Sequence, residues 1–164
     1  MPRLPLTQYN VEALIQARKI AMKTKLNTLH SSEPSLNERC LKVDIRRVDS
    51  TAVDLSLEFY PRILTRELAG VRTVQRPSAS LMWQGKRIRG LDHSMKHEVI
   101  RDGLIVDHVK GWHEHYWTDA DEDNSVRPPN PILQNYDLQS VITWCCKNWN
   151  IENFGIQQEL YSHE

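Results

Sequence analysis

The sequence predicts an α+β fold: an antiparallel sheet of about five to six strands with an N-terminal and a C-terminal helix packed on it. Two patterns support this prediction. In the middle of the chain apolar residues alternate with polar ones, as in half-buried strands. At both ends they recur every three or four residues, as in amphipathic helices. The order helix, strands, helix is typical of a sheet with helices on one face.

The first half of the chain predicts a helix followed by a hairpin. Residues 6–30 have apolar side chains at helical spacing, and Thr7 or Asn10 is a candidate N-cap. After a polar loop, residues 40–48 and 53–59 each alternate with period two. The four residues between them, "DSTA", predict an antiparallel turn. Residues 60–78 favour no single element.

The second half predicts further strands and the closing helix. The four strands expected are 78–83 and 86–92, joined by a Gln-Gly turn, then 103–109 and 111–117. The segment 118–135 is acidic and then rich in proline, which predicts a loop. Residues 136–151 have helical spacing, and Asp137 is the expected N-cap.

Length and composition predict one globular domain over residues 1–164, because a chain of this size can bury roughly 70 % of its unfolded surface. Its expected parts are an N-terminal helix and loop (1–36), the sheet (40–117), the loop (118–135) and the C-terminal helix (136–151). Three cysteines are too few for a disulfide framework, which favours a reducing compartment. The start "MPRLPLTQYN" has no apolar core, and there is no run of eighteen apolar residues, so we expect a cytoplasmic protein without a membrane segment.

Charge is distributed unevenly along the chain although the net charge is zero. Residues 1–91 hold 16 Lys and Arg against 8 Asp and Glu, whereas residues 92–164 hold 5 against 13. The two halves could pack together and neutralise each other. Alternatively, a basic face binds phosphate and an acidic edge binds a cation or a basic partner protein.

Histidines are concentrated in one stretch. Five of the seven lie between Leu91 and Trp117. Alternate strand residues point the same way, so His113 and His115 share a face and lie about 7 Å apart. Neutral imidazole is a ligand for transition metals and also a general acid or base near neutral pH. Histidines on a strand can also simply make hydrogen bonds, and this interpretation stays open.

We favour metal-free chemistry from these residues. Expected catalytic residues are His113, His115, His97, Asp92 and Tyr116. We favour no cofactor, but a divalent transition metal would find its ligands in His113, His115 and His97, with His93, Asp92 and Asp102 as further candidates.

Basic residues precede this stretch. Lys86, Arg87 and Arg89 are the expected phosphate-binding residues, because guanidinium donors fit phosphate oxygens. Together with the histidines they provide the parts of a metal-independent ribonuclease or phosphodiesterase. The other interpretation is a charged edge strand that discourages aggregation.

Several motifs resemble a family. "RGLD" (Arg89 to Asp92), His97, Asp102-Gly103, "HEHY" (His113 to Tyr116) and a helix ending in "CCKNWNI" resemble small prokaryotic and phage domains related to the TumE-type toxins of toxin–antitoxin loci. The resemblance covers roughly residues 53–151. It implies a ribonuclease-like toxin acting on RNA or another nucleic acid, with an antitoxin or a defence complex as protein partner. It leaves as the alternative a non-enzymatic phage or mobile-element protein that binds and inhibits or assists a host defence complex, for example a CRISPR-type complex.

Overall fold

In a computed structural model, residues 4–22, 41–50, 54–60, 64–68 and 71–152 are described. They form ten strands and two helices. In chain order these are α1 Gln8–Gln16, β1 Lys19–Ala21, β2 Leu41–Arg47, β3 Leu55–Tyr60, β4 Leu64–Leu68, β5 Val71–Gln75, β6 Ser78–Trp83, β7 Lys86–Arg101, β8 Leu104–Thr118, β9 Glu122–Arg127, α2 Leu138–Asn148 and β10 Ile151–Glu152.

The predicted fold class is wrong, because the described part of the chain is mostly sheet. Eight strands form one sheet in the order β10-β1-β2-β3-β6-β7-β8-β9, and β4 pairs with β5 in a separate hairpin. Every neighbouring pair is antiparallel except β1 and β10. Three of the additional strands, β1, β9 and β10, lie where the sequence predicted a helix, a loop and the end of a helix, respectively.

The N-terminal helix is much shorter than expected. Thr7 is its N-cap, with a side chain that accepts a hydrogen bond from the Asn10 backbone, but the chain is already extended at Ala17. Residues 19–21 then pair with β2 and β10 instead of continuing the helix. The buried Lys19 ammonium donates hydrogen bonds to carbonyls at the end of α1, which satisfies groups that a longer helix would have bonded internally. The rest of the predicted helix, residues 23–30, lies outside the described residues.

The two predicted hairpins form. β2 and β3 pair in antiparallel register, and β6 and β7 are joined by Gln84 and Gly85, both with positive φ. Positive φ at both central residues is the geometry of a type I′ turn, which matches strand twist.

Two expectations for the second half are wrong. The strands predicted at 103–109 and 111–117 are one strand, β8, in which Gly111 has a φ of +86° and lies inside the strand rather than in a turn. The predicted loop at 118–135 contains β9, which pairs with the end of β8 and buries Ser125 and Val126. The C-terminal helix has the predicted cap: the Asp137 carboxylate accepts the backbone N–H of Ser140 at 2.8 Å.

The sheet has two different faces. Leu57, Leu81 and Leu91 lie on the face that packs against α1 and α2, and they belong to the hydrophobic core. This core face also carries Glu114, whose carboxylate accepts a hydrogen bond from Trp149 just after α2. Along each of these strands the alternate residues point to the other side of the sheet, which we call the open face. Among the described residues no helix is long and apolar enough to cross a membrane.

Candidate functional site

Three histidines converge on the open face. His113 and His115 lie on β8, and His97 lies on the neighbouring strand β7. One ring nitrogen of each lies within 4.8 Å of one nitrogen of the other two. The ring centroids are 4.6 to 5.1 Å apart. The structure therefore brings together residues that are 16 and 18 positions apart in the sequence.

A β-bulge turns His97 toward the other two. Asp92 is the cross-strand partner of His113, so the regular alternation of β7 would place residue 97 on the core face. The register shifts between Ser94 and His97, where one extra residue is inserted into β7. After this bulge His97 pairs with Val109, which shares the face of His113 and His115. Bulges commonly re-aim a side chain next to a functional site.

His113 is held in one orientation. Its Nδ1–H donates to the Gly111 carbonyl at 3.1 Å, which leaves Nε2 without a proton. Only 1 % of His113 is exposed, and its Nε2 is buried without a hydrogen-bond partner in the described part of the chain. Burying a polar atom without a hydrogen-bond partner costs free energy, so a ligand bound at this lone pair would be stabilising.

His115 is held on both sides. Its Nδ1 lies 3.0 Å from the Asp123 carbonyl, to which it donates a hydrogen bond. Its Nε2 lies 3.3 Å from Oδ2 of Asp92. A backbone carbonyl on one nitrogen is the usual support for a histidine whose other nitrogen binds a metal.

A second bulge brings Arg87 to the same face. Leu81 pairs with Arg89 but Met82 pairs with Arg87, so Ile88 is the extra residue and the two arginines point to opposite faces. The Arg87 guanidinium donates to Asp123 at 2.8 Å and to Asp92 at 3.3 Å.

Gly90 leaves the space that this guanidinium needs. A methyl group at Gly90 would lie 3.2 Å from Cδ of Arg87 and 3.3 Å from Cβ of His115. Both distances are tighter than normal van der Waals contact, so a larger residue would push the Arg87 side chain away from His115.

Burial and neighbouring charges lower the pKa of two of the three histidines, His113 and His97. Burial lowers the pKa of His113 to about 4 against the opposing effect of the Gly111 hydrogen bond, and the charges of His115 and His97 lower it further. Burial also lowers the pKa of His97, with a further contribution from His115. Burial alone would raise the pKa of Asp92, but the hydrogen bond and charge of His115 and the charge of Arg87 outweigh it, so this pKa is lowered and the carboxylate is ionised.

The three imidazoles open into a cavity of about 550 Å³. Its lining is polar and comes mainly from β6, β7 and β8: Tyr60, Arg76, Ser78, Ser80, Arg87, Asp92, His93, Ser94, His97, His113 and His115. His97 also borders a second cavity of about 350 Å³ beside Asn124. His97 is half-buried and borders both cavities, whereas His113 and His115 are buried in the wall of the larger one.

The structure separates the remaining predicted residues from this group. Arg89 is buried on the core face, where it pairs with Glu12. Tyr116 shares that side, with the Arg127 guanidinium 4.8 Å above its ring. Lys86 is exposed and pairs with Glu122. The predicted set of three phosphate-binding residues is therefore not assembled, since of the three only Arg87 lines the cavity.

Asp102, a further candidate metal ligand, lies in the turn of the β7–β8 hairpin, and His108 lies further along β8. Both are exposed and do not line the cavity. His93, in contrast, lies at the cavity rim, in edge-to-face contact with Trp112.

Three contributors to the site were not predicted from the sequence. Asp123 and Gly111 orient the histidines, and Arg76 lines the cavity. Asp123 lies in the acidic segment interpreted as a loop. A glycine two residues before an H-x-H pair is a signal that could have been used, because a residue with positive φ can direct its carbonyl toward a nearby ring.

The donor set fits a divalent transition metal. Three imidazoles with one position left open are a known ligand set for catalytic zinc. The unpartnered Nε2 of His113 is the atom that such an ion would satisfy. Comparisons with family models, curated proteins and solved structures found no match to this chain. The resemblance to TumE-type toxins therefore stays a prediction.

Proposed function

We propose that this protein is a metal-dependent hydrolase, in which His97, His113 and His115 hold a divalent ion such as Zn²⁺. The observation that carries the proposal is the convergence of three imidazole nitrogens within 4.8 Å at the wall of an open cavity. Such an ion supplies a bound water molecule with a lowered pKa and polarises the bond to be cut.

The residues around the histidines have separate tasks in this proposal. Asp92 lies 3.3 Å from Nε2 of His115, where its carboxylate can accept the proton of the attacking water. The water oxygen forms a bond to the phosphorus or carbonyl carbon of an ester, the ester bond breaks, and the departing oxygen takes up the proton. Arg87 is a positioning residue, because it holds Asp92 and Asp123 at the same time.

The metal-free mechanism favoured by the sequence has less support. A ribonuclease without metal needs one protonated group to serve as the acid. The pKa of His113 is about 4, and the pKa of His97 is lowered, so neither ring is in its doubly protonated, cationic form at neutral pH. A nucleic-acid substrate and a toxin or defence role remain proposals based on the family resemblance.

The proposal is tested with chelator-treated protein reloaded with Zn²⁺ or Mn²⁺. The substrates are total RNA, bis(4-nitrophenyl) phosphate and 4-nitrophenyl acetate. We expect hydrolysis of at least one substrate, loss of activity with chelator, and at least 100-fold lower activity in His113→Ala and His97→Ala. His108→Ala is the matched control, since His108 is exposed on the same hairpin, and it keeps full activity. Equal activity with and without metal would contradict the proposal.

A second candidate is a non-enzymatic protein that docks on a partner. It is favoured by three exposed apolar residues at the tip of the β7–β8 hairpin: Leu104, Ile105 and Val106, with 69 %, 55 % and 54 % exposure. This candidate predicts that the metal-loaded protein hydrolyses none of the three substrates.

A further inference from the structure

The two arginines that line the cavity differ in their charge partners. Arg87 is neutralised by Asp92 and Asp123. Arg76 lies just before β6, and no carboxylate pairs with it within the residues that the structure describes. Its charge acts on another residue of the cavity: it contributes to the lowered pKa of His93, after the larger effect of burial. Arg76 is thus the lining cation with its charge still available.

An aromatic group holds this guanidinium in place. The central carbon of the Arg76 guanidinium lies 4.4 Å from the centroid of the Tyr136 ring. Tyr136 stacks on Trp112 at 6.0 Å and contacts the edge of His93 at 5.3 Å. Trp112 is buried, so this stack is anchored in the core. A guanidinium fixed over an aromatic ring loses less conformational freedom when it binds an anion.

Hydroxyl groups line the same cavity as this cation. Ser78 and Ser80 are on the open face of β6 and line the cavity with Arg76. Ser78 lies in the same row across the sheet as Asp92 and His113, because Ala79 pairs with Leu91 and Asp92 pairs with His113. Hydroxyl donors next to a guanidinium are the usual partners of phosphate and carboxylate oxygens.

We propose that Arg76, with Ser78 and Ser80, is an anion-binding subsite that selects substrates with a phosphate or carboxylate group beside the bond that is hydrolysed. The inference rests on the proposed hydrolase function for its meaning, but the subsite itself is independent of the metal. Arg76 determines specificity here and takes no part in proton transfer.

The test is a calorimetric titration of inorganic phosphate and, separately, of acetate into metal-free and Zn²⁺-loaded protein. We expect at least a 10-fold weaker affinity for the preferred anion in Arg76→Gln, in both metal states, and partial recovery in Arg76→Lys. Arg101→Gln is the control, because Arg101 is exposed at the hairpin tip and outside the cavity. The arm with the higher wild-type affinity identifies phosphate or carboxylate as the group recognised.

Two readouts separate the possible failures. Zinc content is measured for each variant, and thermal unfolding shows that each is folded. Unchanged anion affinity in Arg76→Gln, or no anion binding by the wild-type protein, overturns the subsite. Absence of bound zinc with intact anion binding would overturn the hydrolase proposal and leave the subsite standing.

Discussion

Glu114→Gln removes the negative charge at the centre of the core face with little change in shape. Glu114 is 5 % exposed, and its carboxylate accepts hydrogen bonds from Trp149 at 3.0 Å and from Arg127 at 2.7 Å. Its Oε1 also lies 3.8 Å from Nε of Arg89, which is 1 % exposed. After the substitution Glu12, which is 42 % exposed, is the one charged partner left to Arg89 among the residues that the structure describes.

The expected loss is about 3 kcal/mol of the free energy of unfolding. Leaving one charge of a buried pair without compensation typically costs about 3–5 kcal/mol. We take the lower end of this range because Glu12 still offsets part of the Arg89 charge. For a domain of this size the melting temperature falls by about 6–12 °C, since 1 kcal/mol corresponds to about 2–4 °C.

Urea unfolding of a double-mutant cycle tests this reasoning. Arg89→Met alone should cost about 1–2 kcal/mol, because Glu114 keeps its hydrogen bonds to Arg127 and Trp149. In the double variant the uncompensated cation is gone, so it should be more stable than Glu114→Gln alone. Zinc affinity should be unchanged in all variants. Strictly additive losses, or a loss of zinc binding in Arg89→Met, would refute the assignment of Arg89 to the core face.

Three further predictions concern a glycine, a lysine and two thiols. Gly111→Ala places a side chain at φ +86°, which should cost about 1–2 kcal/mol of the free energy of unfolding. It should also weaken zinc affinity roughly 10-fold, because it shifts the carbonyl that holds His113. The control is Gly103→Ala, at φ +74° in the hairpin turn, which should cost as much in urea unfolding and leave zinc affinity unchanged. Burial, and then the charge of Arg47, lower the pKa of Lys19 to about 7, below the 10.5 of the unfolded chain. Between pH 7 and 10 the unfolded state therefore binds more protons than the folded state. The free energy of unfolding rises with pH in this range, by up to about 1.4 kcal/mol per pH unit. Lys19→Met should remove this slope in urea unfolding measured across that range, and an unchanged slope would refute the burial argument. Burial raises the pKa of Cys145 and Cys146, so iodoacetamide followed by mass spectrometry should find both unmodified in the folded protein at pH 8 and modified in urea.

Local patterns in the sequence correctly predict the features that depend only on residues close together in the chain. Alternation in "HEHY" places His113 and His115 on one face, and the Gln84-Gly85 pair marks the turn between β6 and β7. Such features depend on strand period and turn chemistry alone.

Bulges are the main reason that the site could not be predicted in full. Each inserts one residue and reverses the faces of everything that follows, yet no residue type near Ile88 or His97 marks it. Strict alternation puts Arg87 and Arg89 together and His97 on the opposite side from His113, whereas the structure does the reverse.

Pairing across the sheet explains the other differences. The acidic run before Arg127 lacks the usual composition of a strand, but β9 forms because the end of β8 supplies hydrogen bonds and Glu114 pairs with Arg127. Similarly, helical spacing continues beyond Ala17, but residues 19–21 gain partners on both sides in the sheet. Tertiary contacts override local propensity in both places.

The metal centre is the central claim, and zinc-edge X-ray absorption tests it most directly. Protein loaded with one equivalent of Zn²⁺ and then desalted should retain the ion with three imidazole nitrogens at about 2.0–2.1 Å. His97→Ala should retain less zinc, with two imidazoles, and His108→Ala should match the wild-type spectrum. Zinc lost on desalting from the wild-type protein, or an identical spectrum in His97→Ala, would contradict the account.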